Sequence, residues 1–233
     1  VARPIGMDAT IHSALYTYIP GTRPVNISLA HIRQAAQFIK TINLCRDKPV
    51  ALALPLAADA CLSWQAHMEL TASRIDRLLA VQPNMPLEME AVNFVRQHLL
   101  PLWLRLKASL LQELGSLQME FLLPEEERII STSDFGFHNV LENNGELFFL
   151  DFEYAGWDDP AKLICDFICQ PELPVTQSQG QQFRDELLSA LPNSDELKHR
   201  VKLLLPVHRL KWCCILLNEF RLEDRNRRLH AGV

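Results

Sequence analysis

Apolar positions recur at helical spacing over most of this chain, and the helices they predict make up the bulk of it. After Ser28, a suitable N-cap, Leu29, Ile32, Ala36, Ile39 and Ile42 mark one apolar face. Residues 62–79 form a second expected helix, with Leu62, Ala66, Leu70, Ser73 and Arg77 on one line and Trp64, Met68, Ile75, Leu78 and Leu79 beside it. Pro86 opens a third that runs to residue 100, and Pro101 opens or kinks the next, which ends near residue 114. Asp159-Pro160 supplies an N-cap and a first helical position for another. Beyond a Pro/Gln-rich loop at 171–180, helices are expected over 181–191 and from Ser194 onward. Pro206 interrupts the last of these before Leu210, Cys213, Cys214 and Leu217 resume the spacing. Trp64 and Trp103 read as core, and His67 and His98 as surface or internally satisfied rather than as metal ligands.

Two stretches break the helical pattern. Residues 10–19 alternate loosely, are rich in Tyr, Ile, Leu and Thr, and stop at Pro20-Gly21, so they predict a strand. Its unpaired edge would recruit a partner, and self-association through it is an expected interaction. The second stretch begins after the exposed run Glu125-Glu126-Glu127, where Arg128-Ile129-Ile130 reads as a short strand leading into the loop 131–139. A hairpin then turns at Asn144-Gly145, because a type I′ turn needs positive φ at both central residues. That turn pairs Asn143 with Glu146, Leu141 with Phe148, Val140 with Phe149 and Asn139 with Leu150. Asn139 and Asp151 therefore finish at the same end of the ribbon, where opposed residues lie roughly 5 Å apart. A turn at Asn143-Asn144 would slip this register and loosen the approach.

The chemistry gathers on that hairpin. Asp134 and Asn139 stand five residues apart on the loop, and Asp151 follows the returning strand. Together they supply one general base and two oxygen ligands for Mg²⁺, the set that phosphoryl transfer needs. Asp166, flanked by Ile164, Cys165 and Phe167, is either a buried anchor for the loop or a surface carboxylate.

Asp-x-x-x-x-Asn, a hairpin and then Asp151-Phe152-Glu153-Tyr154-Ala155-Gly156-Trp157-Asp158-Asp159-Pro160 resembles the catalytic core of the aminoglycoside phosphotransferase and choline kinase-like small-molecule kinases. The resemblance covers about residues 12–25 and 130–170. It implies an α+β, mainly α, protein kinase-like fold whose C-terminal lobe carries a catalytic-loop β-hairpin. Residues 1–24 would be remnant strands of the N-terminal lobe and the hinge. Residues 25–233 would be the helical C-terminal lobe, with the catalytic loop at 131–139 and the metal-binding segment at 151–153. It also implies Asp134 as the base for an acceptor hydroxyl, Asn139 and Asp151 as Mg²⁺ ligands, and the backbone of Thr17, Tyr18 and Ile19 against the adenine of ATP. Terminal helices wall the acceptor pocket in such kinases, which makes Asn218 and Glu219 candidates to face it or simply to pack. Thr132 stands where the family has its loop-organising His. The glycine-rich loop, strand lysine and helix glutamate of the small lobe have no counterpart, the first lysine being Lys40.

The implied reaction moves the ATP γ-phosphoryl group to a hydroxyl of a sugar, amino alcohol or aminoglycoside, with weak activity expected of this chain alone. A protein acceptor is disfavoured: no activation segment fits between Asp151 and Pro160, and Gly136 stands where protein Ser/Thr kinases usually carry lysine. The alternative is a non-catalytic kinase-like binding module. Composition narrows the rest. A formal charge of −5 and a pI near 5.9 argue against nucleic acid, and 48% hydrophobic residues suffice for a substantial core. The apolar stretch 49–62 is short and broken by Pro55 and Asp59, so it reads as core rather than membrane. Six cysteines lacking C-x-x-C spacing are expected as reduced, buried thiols of a cytoplasmic protein.

Overall fold

The computed structural model of the chain describes residues 1–231. It opens with an antiparallel hairpin of β1 (Pro4–Asp8) and β2 (Ser13–Tyr16), exposed along its whole length. The strand expected over 10–19 is therefore cut to four residues. The cause is local: the Asp8 carboxylate accepts hydrogen bonds from the Thr10 N–H (2.9 Å) and hydroxyl (2.5 Å), and His12 takes a left-handed φ of 50°. Aspartate reverses the chain in this way at many turns.

Everything after residue 28 is mainly helical. In chain order come α1 (Leu29–Asn43), α2 (Pro49–Leu52), α3 (Trp64–Leu79), α4 (Pro86–Phe94), α5 (Leu100–Leu114) and α6 (Ser116–Met119). The strands β3 (Ile129–Ser131), β4 (Val140–Asn143), β5 (Glu146–Phe149) and β6 (Gly156–Asp158) follow, and then α7 (Pro160–Cys169), α8 (Gln177–Leu188), α9 (Ser194–Leu216) and α10 (Leu222–Ala231). Ser28 caps α1 as its position predicts, accepting the His31 N–H, and Asp159 caps α7 by accepting the Ala161 N–H. Helices α4 and α5 run on through one π-helical segment, Val95–Leu99, in which the Leu100 N–H donates to the Val95 carbonyl. Pro101 accounts for it, because its ring crowds the preceding turn and it has no N–H to give.

The core lies where α7, α8 and α9 meet α1 and α3. Leu163, Ile164 and Phe167 of α7 pack with Phe183, Leu187, Leu204 and Val207, all essentially inaccessible. Each such side chain contributes roughly 1.5–3 kcal/mol. Several helix details differ from the periodicity. The face of α3 that turns inward carries Trp64, His67, Met68, Thr71, Ile75 and Leu78, not the line through Leu70 and Arg77. Helix α8 starts four residues early, on a capping box of Thr176 with Gln179, and α9 passes through Pro206 without ending. Within 49–62 the side chains of Val50, Leu52 and Leu56 are exposed, because that segment is held by its backbone against β6. All six cysteines are free, as expected, but Cys45 and Cys213 are exposed rather than buried.

That backbone contact explains a glycine. A Cβ on Gly156 would stand 2.4 Å from the Pro55 carbonyl oxygen and 2.5 Å from the Ala57 nitrogen. Main chain cannot swing aside as a side chain can. We expect Gly156→Ala to destabilise the fold by about 1–3 kcal/mol, read as a lowered urea midpoint, with wild-type stability refuting the contact. No described helix is long and apolar enough to cross a membrane.

Candidate active site

Strand β3 delivers the chain to the loop and is held on both sides. It pairs antiparallel with β6, and the Asn43 side chain clamps Ile130, donating to its carbonyl (3.0 Å) and accepting from its N–H (2.8 Å). The loop then reverses sharply. Ser133 is left-handed, with φ 65°, its N–H donates to the Ser131 hydroxyl at 3.1 Å, and its own hydroxyl donates to the Ala58 carbonyl at 3.0 Å. The Asp134 N–H closes on the Thr132 carbonyl at 2.9 Å. Thr132, at the place of the family His, is buried with its hydroxyl unpartnered. Serines on either side organise the turn instead.

Below the loop, Phe135 is set among Phe38, Phe149, Phe167 and Phe183, with ring centroids 5.3 Å away at Phe149 and 6.1 Å away at Phe183. Phe137 meets Phe167 edge-on at 5.5 Å. Aromatic contacts of this geometry add stability beyond burial. They pin positions 135 and 137 downward and leave Asp134 pointing out, its side chain 47% exposed.

The hairpin has the register its turn predicts, from Val140↔Phe149 to Asn143↔Glu146, and Asn144 and Gly145 both take positive φ. The Leu150 N–H extends the ladder to the Asn139 carbonyl at 3.0 Å, so Asp151, left-handed at φ 61°, emerges beside Asn139. Asn139 donates its side-chain N–H to the Asp134 carbonyl at 3.1 Å, which leaves its amide oxygen for a cation. Tyr154 sits among these acids: its hydroxyl is pushed up by a hydrogen bond to Glu153 and by the charges of Asp151 and Asp134. No three or more His, Cys, Asp or Glu side chains among the described residues are grouped to hold a metal. The two hard oxygens of Asn139 and Asp151 fit Mg²⁺, which keeps waters and takes substrate phosphates for the rest of its shell.

Of the three residues expected near adenine, Thr17 is occupied, its N–H donating to the Arg3 carbonyl at 2.9 Å and its hydroxyl accepting from the Arg3 N–H. Tyr18, 87% exposed, and Ile19 follow, and Thr22 then exchanges backbone hydrogen bonds with Glu142 of β4 (3.1 and 2.7 Å). The segment 17–22 is thereby tied to the same hairpin that carries Asn139.

Two adjoining clefts flank Asp134. One, of about 460 Å³, is lined by Asp59, Arg74, Tyr154, Lys162, Asp166 and Lys211 among others. The other, of about 390 Å³, adds His138, Gln170 and Glu172, and Trp212 and Ile215 wall both. Neither Asn218 nor Glu219 lines these clefts; α9 presents Trp212, Ile215 and Leu216 from a turn earlier.

Under the site lies a buried ionic network that periodicity did not reveal. Asp166 accepts from His208 Nδ1 (2.9 Å), Trp212 Nε1 (2.9 Å) and Lys211 Nζ, and lies 3.4 Å from Lys162 Nζ. It is buried rather than a surface carboxylate, and its partners lie on α7 and α9, so it ties those two helices together and not the loop as expected. Asp159 accepts from Arg200 and lies 3.0 Å from His67 Nε2, and the two histidine rings meet at 3.1 Å. Burial alone pushes the Asp159 carboxyl up, but the Arg200 charge and His67 outweigh it and hold it down at about 2. One signal was visible in sequence: Asp158, Lys162 and Asp166 repeat at four-residue spacing, one face of a helix.

No family model and no curated protein sequence matches the chain. Solved structures do. A choline kinase from Cryptosporidium parvum Iowa II is similar over 99% of this chain and 74% of its own, at 12% identity and a TM-score of 0.57. A choline/ethanolamine kinase family protein from Mesorhizobium loti matches over 96% of this chain at 14% identity and a TM-score of 0.53, and this chain spans 66% of it. A spectinomycin phosphotransferase, solved with ADP and spectinomycin, matches over 86% and 70% of the two chains at 15% identity and a TM-score of 0.50. By its fold, then, the chain stands with the choline/ethanolamine kinases and aminoglycoside phosphotransferases, in a protein kinase-like α+β architecture that is mainly α.

Proposed function

We propose that the chain carries the catalytic lobe of a small-molecule kinase that moves the γ-phosphoryl group of ATP to a hydroxyl. The observation that carries this reading is the joining of Asp134, Asn139 and Asp151 at one end of a single hairpin, through the Leu150–Asn139 and Asn139–Asp134 hydrogen bonds. Asp134 takes the hydroxyl proton as the new oxygen–phosphorus bond forms and ADP leaves. Asn139 and Asp151 hold Mg²⁺, which neutralises charge on the phosphates when bound. The backbone of Tyr18 and Ile19 meets the adenine edge.

The cleft also speaks to the acceptor. Its cations are matched locally, Arg74 by Asp59 and Lys162 and Lys211 by Asp158 and Asp166. Asp134 is left beside the rings of Tyr154 and Trp212. With Glu172 paired to Arg23 and Asp151 given to Mg²⁺, Asp134 is the one lining acid left over, too little for a polycationic aminoglycoside, whereas a neutral sugar or polyol meets ring faces and one carboxylate. We therefore favour a neutral or singly charged hydroxylated acceptor, a sugar, polyol or amino alcohol, over an aminoglycoside.

The test has two arms. A phosphotransfer assay over sugars, polyols, amino alcohols and aminoglycosides should show transfer within the first three classes, and turnover confined to aminoglycosides would overturn that preference. Calorimetry should show that Asp151→Ala weakens MgATP binding, because a charged ligand is lost. Equal affinity in both proteins would remove Asp151 from the metal site. A chain that binds MgATP and transfers to nothing would be a non-catalytic module, the reading that Thr132 in place of the loop histidine favours.

A further inference from the structure

Four residues beyond Asp134, His138 turns back over the loop and places Nε2 3.2 Å from Asp134 Oδ1. The imidazole is only 10% exposed although it faces a half-open carboxylate. Its other nitrogen, Nδ1, is buried with no hydrogen-bond partner. An N–H stranded there would forfeit a bond it could make in water, and the bond to Asp134 would be lost with it. Keeping the proton on Nε2 instead leaves Nδ1 as a bare lone pair and aims a donor at Asp134.

The surroundings hold the ring in that pose. Gly136 lies flat against it: a Cβ there would stand 2.7 Å from His138 Nδ1 and 3.1 Å from Gln170 Cγ. Any side chain at 136 would lever the imidazole off the carboxylate. Glycine at this position thus serves the histidine, in a backbone that is otherwise plainly extended. His138 also lines the second cleft beside Asp134 and Trp212, where an acceptor would sit.

Taking Asp134 as the base, as the proposed function does, we infer that His138 is a positioning residue. Its Nε2–H holds Oδ1, fixes the carboxylate rotamer, and presents Oδ2 to the acceptor hydroxyl. A base oriented by a third group is a recurrent arrangement where a weak nucleophile must be activated.

The test compares His138→Leu, which fills the space without a donor, with His138→Gln, which restores an N–H near the Nε2 position. We expect His138→Leu to lower kcat about tenfold, the effect of one orienting hydrogen bond, with KM for MgATP unchanged. His138→Gln should recover most of the loss. Nitrogen-15 NMR of the wild-type protein at neutral pH should show Nε2 protonated and Nδ1 bare, and the Asp134 carboxyl carbon should shift in His138→Leu. Equal kcat in wild type and His138→Leu, or a proton on Nδ1, would overturn the inference. A wild-type protein that binds MgATP but transfers nothing would sink the kinase reading instead, and the two NMR signals would still decide the His138–Asp134 contact.

Discussion

Replacing Asp134 with Asn should abolish phosphoryl transfer and leave MgATP affinity unchanged. The carboxylate acts on the acceptor hydroxyl, not on the nucleotide, and loss of a general base costs about 10²–10⁴ in rate. The fold should barely notice. The backbone bonds at this position, the Asp134 N–H to Thr132 and its carbonyl to the Asn139 side chain, survive the change, and an amide oxygen can still accept from His138 Nε2. A half-exposed side chain of this kind shifts stability by about 0.5 kcal/mol or less. A coupled assay for ADP release in the presence of acceptor, with calorimetry for MgATP, separates the two quantities. Wild-type turnover in Asp134→Asn would remove Asp134 from the chemistry, and lost MgATP affinity would move it to the nucleotide.

The parts of this molecule that could be read in advance are those whose cause is local. Asn144-Gly145 sets the hairpin register because the turn alone demands positive φ, and every rung from Val140 to Phe149 follows from it. Ser28 and Asp159-Pro160 mark helix starts for the same reason. Local signals also misled. The strand expected over 10–19 lost residues 10–12 to a turn made by a single aspartate side chain, and the Pro/Gln-rich composition of 171–180 hid the Thr176–Gln179 capping box. Pro206 predicts a break, but Leu204 and Val207 on either side of it are fully buried, and that packing holds α9 together across the missing N–H.

Distance along the chain set the other limit. Asp134, Asn139 and Asp151 lie within one loop and hairpin, so their spacing is informative. His67 meets Asp159 across 92 positions and His208 meets Asp166 across 42, and no periodicity of either helix announces such a partner. Turning inward to complete that network takes His67 and Thr71 into the core face of α3. His138 is a different case. It stands in the loop beside Asp134, and what hid its role was the fold of the turn, which brings a residue four places on back over the carboxylate.

Asp166→Asn should cost the fold about 3–5 kcal/mol at neutral pH, the usual penalty for removing one partner of a buried charge pair. The shape is kept and the charge is not. Lys211, whose side chain is 5% exposed, loses its counter-ion, while Lys162 retains Asp158 at 3.0 Å. Burial would raise the Asp166 carboxyl, but Lys211, His208 and Lys162 prevail and hold it well below its ordinary value. A depressed carboxylate stabilises the folded state above the unfolded pKa, near 3.9, and loses that contribution as pH falls through the folded value. The gap between wild type and Asp166→Asn should therefore be full at pH 7 and narrow below about pH 4. Wild type itself should weaken earlier. Burial holds His208 down to about 3, so below about pH 6.5 the unfolded chain takes up a proton there that the folded chain refuses. Urea unfolding at pH 7, 5 and 3 measures both effects. A mutant as stable as wild type at pH 7 would show that Lys211 finds another partner, and a gap that widened on acidification would mean that Asp166 is protonated in the folded state.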